Sequence, residues 1–157
     1  MGALSNVRPL RLLAACAAVL LLSTCGSGED ADTGAIAVSD AWASATVNGQ
    51  PNGAVYFTIT SATDDTLERA SVPETVADHT EFHEAVITAT GATGMREITS
   101  GVALDPGTAV TFTPGGMHLM LVDLAEPLVE GRTFDITLAF ARADQITLPV
   151  VVVERAP

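Results

Sequence analysis

Lysine is absent from the 157-residue chain: all seven basic residues are arginine, set against nineteen acidic ones, for a formal charge of −12. Arg8 and Arg11 precede the first acidic residue, Glu29, so removal of the first 24 residues leaves five arginines against nineteen acids, a charge of −14. Phosphate binding needs a basic face that releases counterions, which argues against nucleic acid as a partner. A basic lipid-binding patch is disfavoured on the same ground. Aromatics make up only 4% of the chain; Trp42, Tyr56 and the phenylalanines are read as core residues. Signatures of catalysis are missing too: there is no G-x-S-x-G elbow, phosphate loop or H-E-x-x-H pair, and none of the nineteen acids stands out as half of a glycosidase pair. The chain is therefore read as a non-enzyme.

A long hydrophobic run is also lacking. The charge-free stretch Leu12–Leu22 has eleven residues, well short of the roughly 20 that a helix needs to cross the hydrocarbon core. Preceded by Arg8 and Arg11, it has the parts of an export signal rather than a permanent anchor. It ends in Leu22-Ser23-Thr24-Cys25-Gly26. This resembles the bacterial lipoprotein signal, in which the cysteine becomes the new N-terminus and is lipidated. A second candidate, Leu13-Ala14-Ala15-Cys16, would leave almost no apolar segment ahead of the cut. The expected organisation is a signal peptide over 1–24, a flexible acidic tether over 25–34 and a single domain over 35–157. Ten small and acidic residues span about 17 Å as a random coil, enough to hold a domain clear of a membrane.

The chain has two cysteines. Cys16 would leave with the signal and Cys25 would be acylated, so the domain would have neither a thiol nor a disulfide. Cysteine catalysis and thiolate metal sites are thereby excluded from it.

What is present is β-patterned. No segment sustains apolar spacing at i, i+3, i+4 and i+7, whereas short runs of alternating or β-branched residues follow one another between turn residues. The clearest is Thr133–Phe140, where Phe134, Ile136, Leu138 and Phe140 face one way and Thr133, Asp135 and Thr137 the other. Eight further strands are expected at Ala35–Ser39, Ala54–Thr60, Thr66–Ser71, Glu81–Thr88, Met95–Thr99, Ala109–Thr113, Met117–Asp123 and Ile146–Val153. Breaks carry Asp64-Asp65, Gly91, Pro106-Gly107, Pro114-Gly115-Gly116 and Glu130-Gly131. About nine short strands suit an all-β sandwich or small Greek-key barrel.

Three histidines, His79, His83 and His118, and three methionines, Met95, Met117 and Met120, all fall between positions 79 and 120. Strand residues two apart share a face about 7 Å apart, so His118 and Met120 project together while Met117, Leu119 and Leu121 point inward. Imidazole beside thioether, with no thiolate or carboxylate, favours Cu(I) over hard cations such as Ca²⁺ or Mg²⁺. His79, Glu81 and His83 alternate on one strand face with Asp78 and Glu84 close by, a set that suits weak Zn²⁺ or Cu(II) binding or a merely solvated edge. His79 and Met117 stand as accessory metal candidates only.

His83, Met95 twelve positions on, and His118-Leu119-Met120 resemble the hallmark of the PCuAC family of extracytoplasmic copper chaperones, His-(Met)-x10-Met-x21-His-x-Met. The first interval is in register, and the second has 22 intervening residues instead of 21. Glu84 stands where the family has its optional methionine, and Met117 where it commonly has an aromatic. The resemblance extends over about residues 38–153, through Asp40-Ala41-Trp42-Ala43, Ala54-Val55-Tyr56-Phe57-Thr58-Ile59 and Pro114-Gly115-Gly116-Met117-His118-Leu119-Met120-Leu121, followed by Pro127-Leu128 and Glu130-Gly131. It implies a cupredoxin-like barrel holding one Cu(I) through His83, Met95, His118 and Met120. It further implies copper delivery toward a respiratory haem-copper oxidase, with an oxidase subunit or a thiol-containing copper chaperone as acceptor.

The residues themselves agree with a carrier. Thioethers bind Cu(I) without losing a proton, whereas imidazoles must be neutral, so affinity is expected to fall with pH through the imidazole range. A blue-copper electron-transfer site needs a cysteine thiolate, which the domain lacks. Two other readings use the same residues: copper scavenging for storage or tolerance, and a metal-free β-sandwich interaction module with the methionines packed inside.

Overall fold

The computed structural model describes residues 31–32 and 35–154. The proposed signal peptide, Cys25 and most of the tether lie outside the described residues. Eleven strands and no helix are found among those described: β1 (Ala31–Asp32), β2 (Ile36–Ser44), β3 (Gly53–Ser61), β4 (Asp65–Ser71), β5 (Ala77–Ile87), β6 (Thr93–Glu97), β7 (Val102–Leu104), β8 (Ala109–Thr111), β9 (His118–Leu124), β10 (Thr133–Phe140) and β11 (Ile146–Val153). Each of the nine strands expected from the sequence is there. The two additional ones are short: β1 lies inside the segment read as a tether and pairs with β2, and β7 is a three-residue strip beside β4.

The strands form one sheet in the order β6-β5-β9-β3-β2-β11-β10-β4-β7, with β1 on β2 and β8 on β3 off this path. All pairings are antiparallel except β11 with β2. Although five strands separate β4 from β5 along the path, Thr80 Oγ1 on β5 donates a hydrogen bond to the Ala70 carbonyl on β4 at 2.7 Å. The sheet therefore curls round until its two ends meet along this seam. Its concave face encloses one core drawn from almost every strand, including Phe57, Phe82, Leu119, Leu121, Ile136, Leu138 and Val150. Each such side chain contributes about 1.5–3 kcal/mol over leaving it exposed. β10 follows the expected alternation, with Phe134, Ile136, Leu138 and Phe140 all buried.

The expectation of a core location fails for Trp42. On β2 the inward residues are Ile36 and Val38, then Ala43, so the alternation changes phase between them. The cause is an irregularity in the pairing with β3 between Ser39 and Trp42, at which Asp40 adopts a left-handed φ of 55°. Such a bulge adds a residue and turns the following side chains to the other face. Trp42 thus sits half-buried on the outer face, opposite Tyr56 and with ring centroids 4.4 Å apart. The five phenylalanines are all buried.

Candidate metal centre

β9 and the second half of β5 carry the site. Phe82 and Leu119 are cross-strand neighbours on the inner face, both buried, and they fix the register of the outer face. There His83 lies directly opposite His118, and Glu81 opposite Met120. Residues opposed across an antiparallel pair project from the same face, so these four side chains share one surface. On its other edge β5 pairs with β6, which sets Ala85 opposite Met95. Met95 therefore emerges on that same face, diagonally adjacent to His83 at about 7–8 Å by sheet geometry. The fold brings His83, Met95, His118 and Met120 to one patch.

Burial across the patch is graded. His118 is 8% exposed, the His83 side chain 13%, Met120 is half-buried, and Met95, out on the edge strand of the β5–β6 hairpin, is 69% exposed. Met117 is partly buried against the core, facing away from the site in phase with Leu119 and Leu121.

The two imidazoles have ring centroids 5.7 Å apart and an interplanar angle of 51°. The turn that launches β9 holds one of them. Gly115 there has a φ of 77°, a left-handed conformation that glycine adopts without strain, and Thr113 N donates to the Met117 carbonyl at 2.7 Å. His118 Nδ1 lies 3.2 Å from the carbonyl of Gly116. A carbonyl only accepts, so Nδ1 carries the proton and Nε2 the lone pair. His83 Nε2 lies 2.8 Å from Glu81 Oε2, while its Nδ1 is buried with no hydrogen-bond partner among the described residues. Buried polar atoms are nearly always paired, and an orphan of this kind calls for a ligand. Two imidazoles, each tied through one nitrogen to an oxygen acceptor, have the arrangement that metal-binding histidines use. With two thioethers on the same face, the donor set fits a soft monovalent ion.

Glu81 also reaches His79, whose Nε2 is 3.3 Å from Oε1; His79 Nδ1 is in turn 2.9 Å from Asp78 Oδ2. The hydrogen bond from His83, with that from His79 behind it, holds the Glu81 carboxyl below its usual range despite partial burial. Asp78, then Glu81, raise the pKa of His79 above the ordinary imidazole value. Both nitrogens of His79 are thus engaged by carboxylates, which favour its protonated form. Among the described residues no group of three or more His, Cys, Asp or Glu side chains is arranged to hold a metal ion. The alternation of His79, Glu81 and His83 points to a weak Zn²⁺ or Cu(II) set, but in the fold Glu81 instead commits its two oxygens to the two histidines.

Comparison with known proteins supplies the family. A family model described as "Putative lipoprotein LpqE-like" matches residues 36–152. The protein "Putative lipoprotein Lxx21020" of Leifsonia xyli subsp. xyli is 33% identical over 140 residues, covering 89% of this chain and 80% of its own length. Among solved structures, the apo PCuAC domain from PmoF1 superposes with a TM-score of 0.67 at 24% identity, covering 81% of this chain and all of that one. The copper-bound PCuAC domain from PmoF2 gives 0.64 at 24%, covering 82% and 99%. The Cu(I) form of DR1885 from Deinococcus radiodurans gives 0.55 at 25%, covering 73% and 76%. The PCuAC resemblance read in the sequence is therefore met at the level of fold, and the chain belongs to the LpqE-like lipoprotein family, built on the all-β, cupredoxin-like architecture of PCuAC domains.

Proposed function

We propose that this protein is an exported, lipid-anchored Cu(I) carrier that binds one ion through His83, Met95, His118 and Met120. The observation that carries the reading is the cross-strand pairing of His83 with His118, each ring fixed through one nitrogen and free at the other, on the face that bears both thioethers. Solved PCuAC domains of the same fold include copper-bound forms, and the relatives' lipoprotein names accord with acylation at Cys25. Exposure suggests how the cargo leaves. Met95 is the most accessible donor, so an incoming thiolate displaces it first, Met120 and His83 follow, and the buried His118 releases last. Neutral thioethers hold Cu(I) less firmly than a dithiol, so transfer runs toward a thiol-containing acceptor by stepwise ligand exchange. The acceptor proposed is an oxidase subunit, or a chaperone that serves it.

The test is titration of the purified mature domain with Cu(I) against a competing chelator. One tight site is expected, weakened by Met120→Leu and by Met95→Leu; a wild-type domain unable to compete ends the proposal. Delivery is read separately from the copper content of the haem-copper oxidase in a deletion strain. A deficit that added copper repairs is expected, and an unchanged oxidase points to storage or tolerance instead.

A further inference from the structure

A neutral imidazole carries one N–H and one lone pair, and residue spacing alone does not say which nitrogen of His83 has which. The structure does. His83 Nε2 lies 2.8 Å from Glu81 Oε2; an ionised carboxylate can only accept, so the proton is on Nε2. His83 Nδ1 is buried and meets no hydrogen-bond partner among the described residues, where an N–H would be stranded but a lone pair awaits a cation. The carboxylate of Glu81 is itself braced: its second oxygen is 3.3 Å from His79 Nε2, and Asp78 Oδ2 is 2.9 Å from His79 Nδ1. Glu81 sits opposite Met120 and two residues from His83, beside the soft donors but of the wrong chemistry to join them.

Resting on the Cu(I) reading above, we propose that Glu81 is the positioning residue of the site: it locks His83 as the Nε2–H tautomer and so makes Nδ1 the copper-binding nitrogen, with His79 and Asp78 steadying the carboxylate. His118 has the opposite assignment, with Nδ1–H on the Gly116 carbonyl and Nε2 free. The two histidines thus present different nitrogens. Nδ1 is bonded to Cγ, the ring carbon that carries Cβ, whereas Nε2 lies at the far side of the ring.

The first measurement needs no copper. Ring ¹⁵N spectra of the mature apo protein, at a pH where the rings are neutral, should show His83 protonated at Nε2 and His118 at Nδ1; a proton on His83 Nδ1 overturns the proposal. Glu81→Leu should release the tautomer, giving averaged His83 ring signals, and weaken Cu(I) binding about 10–100-fold with backbone amide shifts otherwise retained. Glu81→Gln, which keeps a carbonyl acceptor, should recover the Nε2–H form and most of the affinity. A Leu variant with unchanged tautomer and unchanged affinity assigns Glu81 no positioning role. A wild-type protein that binds no Cu(I) defeats the proposed function alone, because the apo spectra decide the part played by Glu81 independently.

Discussion

Asp65 and His83 are both polar and both on strands one place in from an end of the sheet path, β4 and β5, which meet across the Thr80–Ala70 seam; Asp65 is buried, and His83 is partly buried with its Nδ1 atom out of reach of solvent. They differ in what their polar atoms touch. Asp65 Oδ1 accepts from Thr66 N at 2.7 Å and Arg142 N at 3.0 Å, and Oδ2 from Ala143 N at 2.9 Å, so the carboxylate ties the start of β4 to the β10–β11 turn. His83 satisfies one nitrogen through Glu81 and leaves the other without a partner. Desolvating a polar group is costly in either place. At Asp65 the cost is offset inside the fold, and at His83 one nitrogen finds no such offset among the described residues.

Removing the histidines should affect binding most and folding least. His83→Ala or His118→Ala is expected to weaken Cu(I) binding by more than about 100-fold, beyond the range seen when only an outer partner of a ligand is lost. The apo domain should lose only about 1 kcal/mol, an ordinary value for a single substitution, since His83→Ala also removes an unpartnered nitrogen. Chelator competition and urea unfolding of the same preparations check both numbers. Comparable losses in the two assays would mean that the histidines are structural, as Asp65 is.

Asp65→Ala should do the reverse. Three backbone N–H groups at the start of β4 and in the β10–β11 turn lose a charged acceptor, and about 2–4 kcal/mol of stability should go with them, while Cu(I) affinity stays unchanged. Acid sharpens the contrast. Burial pushes the Asp65 pKa up, but hydrogen bonds from the backbone N–H groups of Thr66, Ala143 and Arg142, with the Arg142 charge, outweigh it and hold the group below 3.8. A lowered folded-state pKa means stability that is complete above the unfolded value and is lost as pH falls through the folded one. Wild type and Asp65→Asn should therefore differ in urea midpoint at pH 6, begin to converge as pH falls below about 3.8, and meet only once it has passed the lower folded-state value. A gap that persists into strong acid would show that Asp65 acts by shape rather than by charge.

Much of this frame could be read from the chain. Alternation in Thr133–Phe140 and turn residues such as Pro114-Gly115-Gly116 mark strands because burial on one face and left-handed backbone leave direct traces in residue type. The co-location of His118 and Met120 follows from a period of two. That His83 faces His118, and that Met95 joins them across a hairpin, depends on register between strands, which no local pattern encodes; the family resemblance supplied it instead. In the sequence Asp65 shows only turn chemistry, because three backbone donors contributed by residues 66, 142 and 143 have no sequence signature. Residue type points Trp42 to the core, and nothing in the sequence announces the bulge at Asp40 that shifts the phase of β2 and turns it outward.

The smallest expected effect separates His79 from its neighbour in the chain of contacts. Asp78 first, and Glu81 next, raise the His79 pKa above 6.5. A raised folded-state pKa gives stability that is full below the unfolded value and is lost as pH rises through the folded one, the opposite sign to Asp65. His79 is well exposed, so the contribution is small and screened by salt. His79→Asn should therefore lower the urea midpoint slightly near pH 6, have no effect near pH 9, and lose even the first difference in high salt. Cu(I) affinity should hardly change, because His83 keeps Glu81 Oε2 when Oε1 is freed. Should His79→Asn instead weaken Cu(I) binding as much as Glu81→Leu, then His79, and not the carboxylate alone, sets the tautomer of His83, and the boundary between the site and the surrounding surface moves outward by one residue.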